Sequence, residues 1–442
     1  MSNCQKLSND QGEFVQSIFE EESGIACASC DPHANDNAPT PAQPGRAALA
    51  STTPTAPAPA ASAASAPFTP KKPSYLHKGD RVYLGMSGGV DSCLSASLLK
   101  EWGADVHAVY MRNWSRDLPG FKCRWSDDLA DAERICVTLG LSLEVWDCEK
   151  EYKETVVDYL IDAYARGLTP NPDVMCNQTV KFGTFAARAL EAGADFIATG
   201  HYARIHKESD GTVDLMRAAD EHKDQTYFLW RVPRTMLAKT IFPIGDIPTK
   251  AQVRAMCAER GLGVENKPDS DGICFVGEVG IRTFLLDTLS RKAGDIVEFE
   301  TGKVLGHHDG AFLFTIGQRR GLNLGGGPIR YVVATDTKKN IVYVTQNPMS
   351  PALWTEKLDL GDCMWIGEAP RAGARLIVRL RHTGALVPVT IDAVDEAARV
   401  LSLRFDEPIK TIAPGQSGVL YDGLRCVAGG IVVPKPLELS WG

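Results

Sequence analysis

The run Ser87-Gly-Gly-Val-Asp-Ser92 joins two residues without a side chain to two hydroxyls. Gly88 and Gly89 let the backbone come close to an anion. Ser87 and Ser92 add hydroxyl donors. A helix starting just after the glycines would aim unpaired N–H groups and the positive end of its dipole at the same spot. That combination suits a phosphate. The Gly-Lys-[Ser/Thr] ending of a Walker loop is missing, which argues against ordinary P-loop hydrolysis. The competing reading is a glycine turn that only reverses the chain. The full string, placed between a strand and a helix, favours the phosphate.

Regular elements must hold this loop. Residues 81–85 read as a short strand, and 92–102 as a helix ended by Gly103. Residues 105–110, 141–146 and 195–199 read as further strands. Residues 127–139 read as a helix, and 151–165 as an amphipathic one with Tyr152, Val156, Tyr159, Leu160 and Ala163 on one side. A third reads over 180–192. Strands alternating with helices imply a parallel sheet covered on both faces. Helix signals fade after about Leu289. Strand-like runs at 330–334, 341–345, 375–381, 387–391, 400–405 and 417–421 then suggest a β-barrel or sandwich.

The chain has 442 residues, 44% of them apolar and 23% charged, as in soluble globular proteins. It has no uncharged apolar run of membrane-spanning length. With a net charge of -8, a polyanionic partner must be met by a local basic patch. Twelve cysteines are too few for a disulfide scaffold and suggest reduced thiols. Cys27 and Cys30 form the one CxxC, without a second pair at zinc spacing. From Ala38 to Pro70, 28 of 33 residues are Ala, Pro, Ser or Thr, which predicts an extended tether. Glu13, Glu20, Glu21 and Glu22 make the preceding stretch acidic, the reverse of a transit peptide, so a cytoplasmic location is expected. Residues 14–19 read as a disordered tail in preference to a docking helix. The expected organisation is a tail over 1–77, an α/β domain over 78–285, a small linking domain over 286–350 and a β-barrel over 351–442.

Residues 85–92 resemble the PP-loop of ATP pyrophosphatases, which adenylate a substrate oxygen and release pyrophosphate. The resemblance makes Gly85, Met86, Ser87, Gly88, Gly89, Val90, Asp91 and Ser92 the ATP-binding loop. Asp91 would help hold Mg²⁺ on the phosphates, since hard cations prefer carboxylate oxygen. Four further strings resemble the MnmA-type tRNA-specific 2-thiouridylases: Thr169-Pro-Asn-Pro-Asp-Val-Met-Cys-Asn177, Ala198-Thr-Gly-His-Tyr-Ala203, Lys223-Asp-Gln-Thr-Tyr-Phe-Leu229 and Gly272-Ile-Cys-Phe-Val-Gly-Glu278. Phe314-Thr-Ile-Gly-Gln-Arg-Arg-Gly321 and Pro414-Gly-Gln-Ser-Gly-Val-Leu-Tyr-Asp-Gly423 extend the likeness to the C-terminal region.

That resemblance implies a reaction. ATP adenylates the 2-oxygen of the wobble uridine of a tRNA, and persulfide sulfur then displaces AMP. It makes Cys176 the nucleophile, on a segment that reads as a loop before a helix, where a thiol pKa should fall. Cys274 would carry the persulfide and later pair with Cys176. The usual Ser-Thr-Gly-Ile-Cys is here Ser270-Asp-Gly-Ile-Cys274, an extra acid that bears on the Cys274 pKa. Asn171, Pro172 and Asp173 would meet the target base, with Asp173 as acid/base partner. Asn-Pro-Asp is also an ordinary turn former. Met111 and Gly200 would contact the adenine. His201, Lys223, Asp224, Gln225, Arg381, His382 and Gln416 would touch the tRNA, with Arg319 and Arg320 as added phosphate candidates. The implied partners are tRNAs for Lys, Glu and Gln, through the anticodon arm, and a persulfide carrier or cysteine desulfurase. The alternatives are another PP-loop enzyme, an iron–sulfur tRNA thiolase lacking clustered ligands here, or a non-catalytic RNA-binding module.

Overall fold

The computed structural model describes residues 68–115, 125–269, 280–437, 439 and 441. Cys27, Cys30, Cys274 and the string around Cys274 lie outside the described residues.

β1 (Arg81–Gly85) buries four of its five residues, as a central parallel strand must. α1 (Val90–Glu101) follows directly. β2 (Asp105–Arg112), α2 (Trp125–Leu139) and β3 (Ser142–Asp147) continue the alternation. α3 runs through three consecutive segments, Glu149–Tyr152, Lys153–Val157 and Asp158–Ala165, and buries Tyr152, Val156, Leu160 and Ala163 as its pattern predicts. α4 likewise joins Pro172–Met175, Cys176–Phe185 and Ala186–Glu191. The middle segments of both helices are π-helical, and Thr155 and Thr179 bond across them at 2.7 Å. β4 (Phe196–Ala198) returns to the sheet.

α4 therefore starts eight residues before the expected helix. The Asn171 side chain accepts from the N–H groups of Asp173 and Val174, and Pro172 occupies the first helical position. A sequence that reads as a turn is here a helix cap, and Cys176 lies within the helix rather than on a loop.

β5 (Ala203–Lys207) and β6 (Val213–Arg217) form an antiparallel hairpin, and β7 (Thr240–Ile241) completes the first sheet. That sheet has the order β3-β2-β1-β4-β7, parallel throughout. Its order turns at β1, so a crevice opens at the carboxyl ends of β1 and β4. α5 (Lys250–Glu259) packs on α1, and α6 (Gly280–Thr288) precedes the β-rich half.

β8 (Gly294–Glu298), β9 (Val304–His308), β10 (Tyr331–Asp336) and β11 (Ile341–Thr345) make a small sheet ordered β10-β11-β8-β9. Six strands then close a barrel: β12 (Trp354–Trp365), β13 (Arg375–Arg379), β14 (Leu386–Asp395), β15 (Val400–Lys410), β16 (Ser417–Asp422) and β17 (Arg425–Val432). β12 pairs with both β15 and β17, which closes the ring. Leu360, Val378, Val389, Ile391, Leu401 and Leu420 fill it.

The barrel is stitched to the first domain. β17 also pairs with β6, setting Arg425 against Met216 and Cys426 against Leu215. Beside this seam the fully buried Asp224 carboxylate accepts from Arg379 at 2.9 Å, Arg217 at 3.3 Å and the Thr226 hydroxyl at 2.9 Å. The Thr226 hydroxyl meets that of Tyr421 at 3.1 Å, and the Trp230 indole N–H donates to Ser417 at 3.2 Å. Asp224, expected to touch tRNA, is instead an interdomain tie: its oxygens are occupied and out of reach of solvent. Asp224→Asn leaves the buried Arg379 guanidinium without its counter-charge and Arg217 with only Glu221, at 3.7 Å. It should cost about 3–5 kcal/mol, read as a lower urea midpoint; an unchanged midpoint would remove the tie from the account.

Candidate functional site: a phosphate loop and a thiol helix

The glycine run occupies the crevice. Met86 N–H donates to Val109 O at 2.8 Å, which fixes the start of the loop on β2. The Ser92 hydroxyl accepts from Ser87 N–H at 3.2 Å and donates to Gly89 O at 3.1 Å. Gly88 has φ +72°, and a Cβ there would sit 2.3 Å from Asp128 O on α2. Only glycine fits. Gly89 starts α1 with no side chain capping that end, and a Cβ there would meet nothing closer than the Ser87 hydroxyl at 3.5 Å. The first amides of α1 thus have no side-chain cap, which suits them to an anion. Val90 is buried beneath.

Charges surround this turn. Lys267 Nζ bonds Asp128 at 2.8 Å, Asp131 at 2.7 Å and Gly88 O at 3.3 Å, clamping the loop to α2. Asp91 accepts from Lys250 at 2.7 and 2.8 Å and from the Tyr202 hydroxyl at 2.7 Å. Burial and the Asp91 charge push the Tyr202 hydroxyl far up, so it remains a donor. Asp269 collects Lys223 and Arg254 at 2.7 Å and Lys250 at 3.1 Å. Burial raises the Asp269 carboxyl, but hydrogen bonds from Lys223 and Lys250 outweigh it and hold the pKa at about 2. Lys250, Tyr202, Lys267, Arg254 and Asp269 were not singled out from sequence. Tyr202 stands inside a string quoted above and Asp269 directly before one; Lys250 is signalled only by the Thr249 cap before α5.

The expected adenine residues line the same crevice. The Met111 side chain lies against Gly85, its Cε 2.9 Å from where a Gly85 Cβ would be. At Gly200 a Cβ would stand 2.8 Å from both Asp91 C and Ser92 N, so the β4 exit presses on the start of α1.

His201 follows and leads to the thiol helix. It is 7% exposed, meets the Thr199 hydroxyl through Nδ1 at 2.8 Å, and lies 5.9 Å from the Phe182 ring of α4. Burial and then the Lys181 charge push its pKa well below the usual value, so it is a neutral packing group. This placement disfavours the expected contact with tRNA. Cys176 and Asp173 sit one turn apart on α4, and Cys176 is buried. Burial raises the Asp173 carboxyl, with Lys181 opposing it. A carboxyl biased toward its neutral form beside a thiol suits proton transfer.

The barrel reaches this helix. Thr169 N–H donates to Pro414 O at 2.7 Å, and Gly415 packs on Leu168 and Thr169. The Tyr227 hydroxyl bonds Ser417 O at 3.0 Å and also the Asn171 side chain. Gln416 is half-buried beside it, and the His382 ring packs on Phe228 with centroids 4.3 Å apart. Gln225 accepts from Tyr202 N–H at 2.9 Å. Arg381 is exposed and Lys223 partly so. Arg319 and Arg320 lie exposed on a loop before β10. Gln416, His382 and Asn171 thus gather around Tyr227, whereas Asp224 is buried at the seam.

Two outcomes follow from the geometry. Gly200→Ala should displace the start of α1 and weaken ATP binding by about tenfold or more while the chain stays folded; calorimetry showing unchanged affinity would refute the contact's importance. Asp173→Asn tests the raised carboxyl. Its ionisation opposes folding above the folded-state pKa, and that penalty is absent below the unfolded value. The variant should melt higher than the wild type at pH 7 and equally in acid. A lower melting temperature at pH 7 would show the carboxylate to be stabilised instead.

Comparison with known proteins covers all three parts. Residues 80–278 match a profile described as a tRNA methyl transferase HUP domain, 282–346 a PRC-barrel domain of the same series, and 355–432 an aminomethyltransferase β-barrel domain. The chain is 43% identical to the tRNA-specific 2-thiouridylase MnmA of Cupriavidus taiwanensis over 358 residues, 80% of this chain and 98% of that one. It is 42% identical to that of Bacillus subtilis (80% and 94%) and 41% to that of Pediococcus pentosaceus (80% and 94%). By its strings, its fold and these relatives, the chain belongs to the MnmA-type tRNA-specific 2-thiouridylase family.

Proposed function

We propose that the chain installs sulfur at the 2-position of the wobble uridine in the tRNA anticodon, at the expense of ATP. It is a tRNA-uridine 2-sulfurtransferase, and its PP-loop domain is of the ATP-binding kind. The observation that carries the reading is a continuous path between two reactive features. Asp91 and Ser92 touch Gly200, His201 follows, and His201 packs on Phe182 of the helix bearing Asp173 and Cys176.

Residues 85–92 bind ATP, with Met111 and Gly200 beside the adenine. The amides of α1 take phosphate oxygens. Among the described residues no cluster of three or more metal-type side chains exists. An oxygen donor such as Asp91 fits a Mg²⁺ held chiefly by the phosphates, where the ion would neutralise triphosphate charge. The uridine 2-oxygen attacks the α-phosphorus and pyrophosphate leaves with the bonding electrons. The terminal sulfur of a Cys274 persulfide then forms a bond to C2, and AMP leaves with the oxygen. The Cys176 thiolate attacks the inner sulfur, breaking the persulfide bond and leaving a Cys176–Cys274 disulfide. A thiol reductant resets the pair. Asp173 moves the proton at the base.

The tRNAs are those for Lys, Glu and Gln, bound through the anticodon arm against Lys223, Arg381, His382 and Gln416. A persulfide carrier or cysteine desulfurase supplies the sulfur. Catalysis falls to residues 78–285, linkage to 286–350 and tRNA grip to 351–442, in a cytoplasmic setting. Cys176→Ser and Cys274→Ser should each abolish persulfide-dependent thiolation while ATP binding persists. Wild-type thiolation in either variant, read by retardation of tRNA in a mercury gel, would strip that cysteine of its role.

A further inference from the structure

Asp173 and Lys181 are eight residues apart on α4, and the segment between them is not a plain α-helix. In a continuous α-helix residue 181 would lie about 80° around the axis from residue 173. Here Cys176–Phe185 is π-helical, with backbone bonds from residue i+5 to residue i. The wider turns bring Lys181 back to the side of α4 that carries Asp173, one wide turn beyond Cys176. Two electrostatic effects agree with this placement. The Lys181 ammonium acts on the Asp173 carboxyl and on the His201 ring, which approaches from the β4 exit. Phe182, the next residue, packs on that ring with centroids 5.9 Å apart. Lys181 therefore stands where the thiol helix meets the path from the ATP loop.

Its charge has no partner. Lys181 is half-buried, and among the described residues no hydrogen bond or ion pair reaches it. Neither neighbour supplies a full counter-charge: His201 is neutral, and burial biases Asp173 the same way. By contrast Lys250, Lys267 and Lys223, around the phosphate loop, are each held by carboxylates. An ammonium kept unpaired between two buried groups suits a site where negative charge arrives only during reaction.

We propose that Lys181 is the catalytic cation of the sulfur-transfer half of the reaction: its ammonium meets the base beside Cys176 and stabilises the negative charge that the attacking sulfur brings to it. The proposal rests on the thiolation chemistry given above. In the adenylated base C2 is joined to N3 by a double bond. The terminal persulfide sulfur, as an anion, bonds to C2, and the electron pair of the double bond moves to N3. That pair then returns as the bond from C2 to the AMP oxygen breaks, and AMP carries the electrons of the broken bond away. Lys181 follows the charge through charge-assisted hydrogen bonds and gains or loses no covalent bond. Adenylation, at the loop end of the path, does not involve it.

The test separates the two half-reactions in the full-length wild type, Lys181→Met and Lys181→Arg. Pyrophosphate released in one turnover with unmodified tRNA, ATP and Mg²⁺, without a sulfur donor, reads adenylation. Thiolated tRNA on a mercury gel, with polysulfide added, reads sulfur transfer. In Lys181→Met the single-turnover thiolation rate should fall about 100-fold, the pyrophosphate burst should stay within about twofold, and Lys181→Arg should recover most of the loss. A wild-type thiolation rate in Lys181→Met, or a burst slowed as much as thiolation, overturns the proposal. Should the Met variant fail to fold, Lys181→Gln carries the same comparison. A wild type that gives neither burst nor thiolated product would instead overturn the thiolation reading, which separates the two claims.

Discussion

One buried carboxylate holds the two halves of this enzyme in register. Asp224 is the shared acceptor for Arg217 on β6 and Arg379 on β13, strands from opposite sides of the interdomain seam. A buried ion triad of this kind adds little net stability compared with an apolar filling. Its value is geometric. Two guanidinium groups can both be satisfied only where β6 and the barrel meet in this arrangement, and any other docking leaves a charge unpaired in a dry place. The Thr226–Tyr421 and Trp230–Ser417 bonds extend the same registration along the seam.

That registration has a chemical consequence. With the barrel set by Asp224, its 414–417 loop falls against residues 168–171, immediately before the thiol helix. Asn171 therefore serves two neighbours, capping α4 and bonding the Tyr227 hydroxyl at the barrel rim. A base presented along the barrel face would arrive at the end of α4 that carries Asp173 and Cys176. On the far side of the same helix, Phe182 and His201 lead to the phosphate loop. The glycine loop, the thiol and the barrel rim are thus linked through two contacts, one on each side of α4.

Sequence reading succeeded where a motif and its supporting element are contiguous. The glycine loop was legible because strand, turn and helix follow one another within about twenty residues, and each has its own local signal. Four of the five parallel strands were legible for the same reason, as was the β-rich character of the closing half, while β7, β8, β9, β12 and β17 were not read. What was lost depends on distant partners. Nothing near Asp224 in the chain reveals Arg379, 155 residues away, so an acid in a functional string read as a surface contact. Lys250 is equally silent, since its meaning comes from Asp91, 159 residues earlier. The start of α4 was missed for a local reason: Asn-Pro-Asp serves a turn and a helix cap equally well, and only the following backbone decides. The β5–β6 hairpin escaped because it adds to a sheet whose other strands begin over a hundred residues later.

The central claim is that this architecture couples ATP to sulfur insertion in tRNA. It is tested most directly by incubating the purified full-length chain with unmodified tRNA, Mg²⁺ and polysulfide as a sulfane-sulfur donor, with and without ATP, and resolving the product on a mercury gel. The account predicts a retarded tRNA band that forms only with ATP. A retarded band that forms equally without ATP would contradict it, as would pyrophosphate release with no thiolated product.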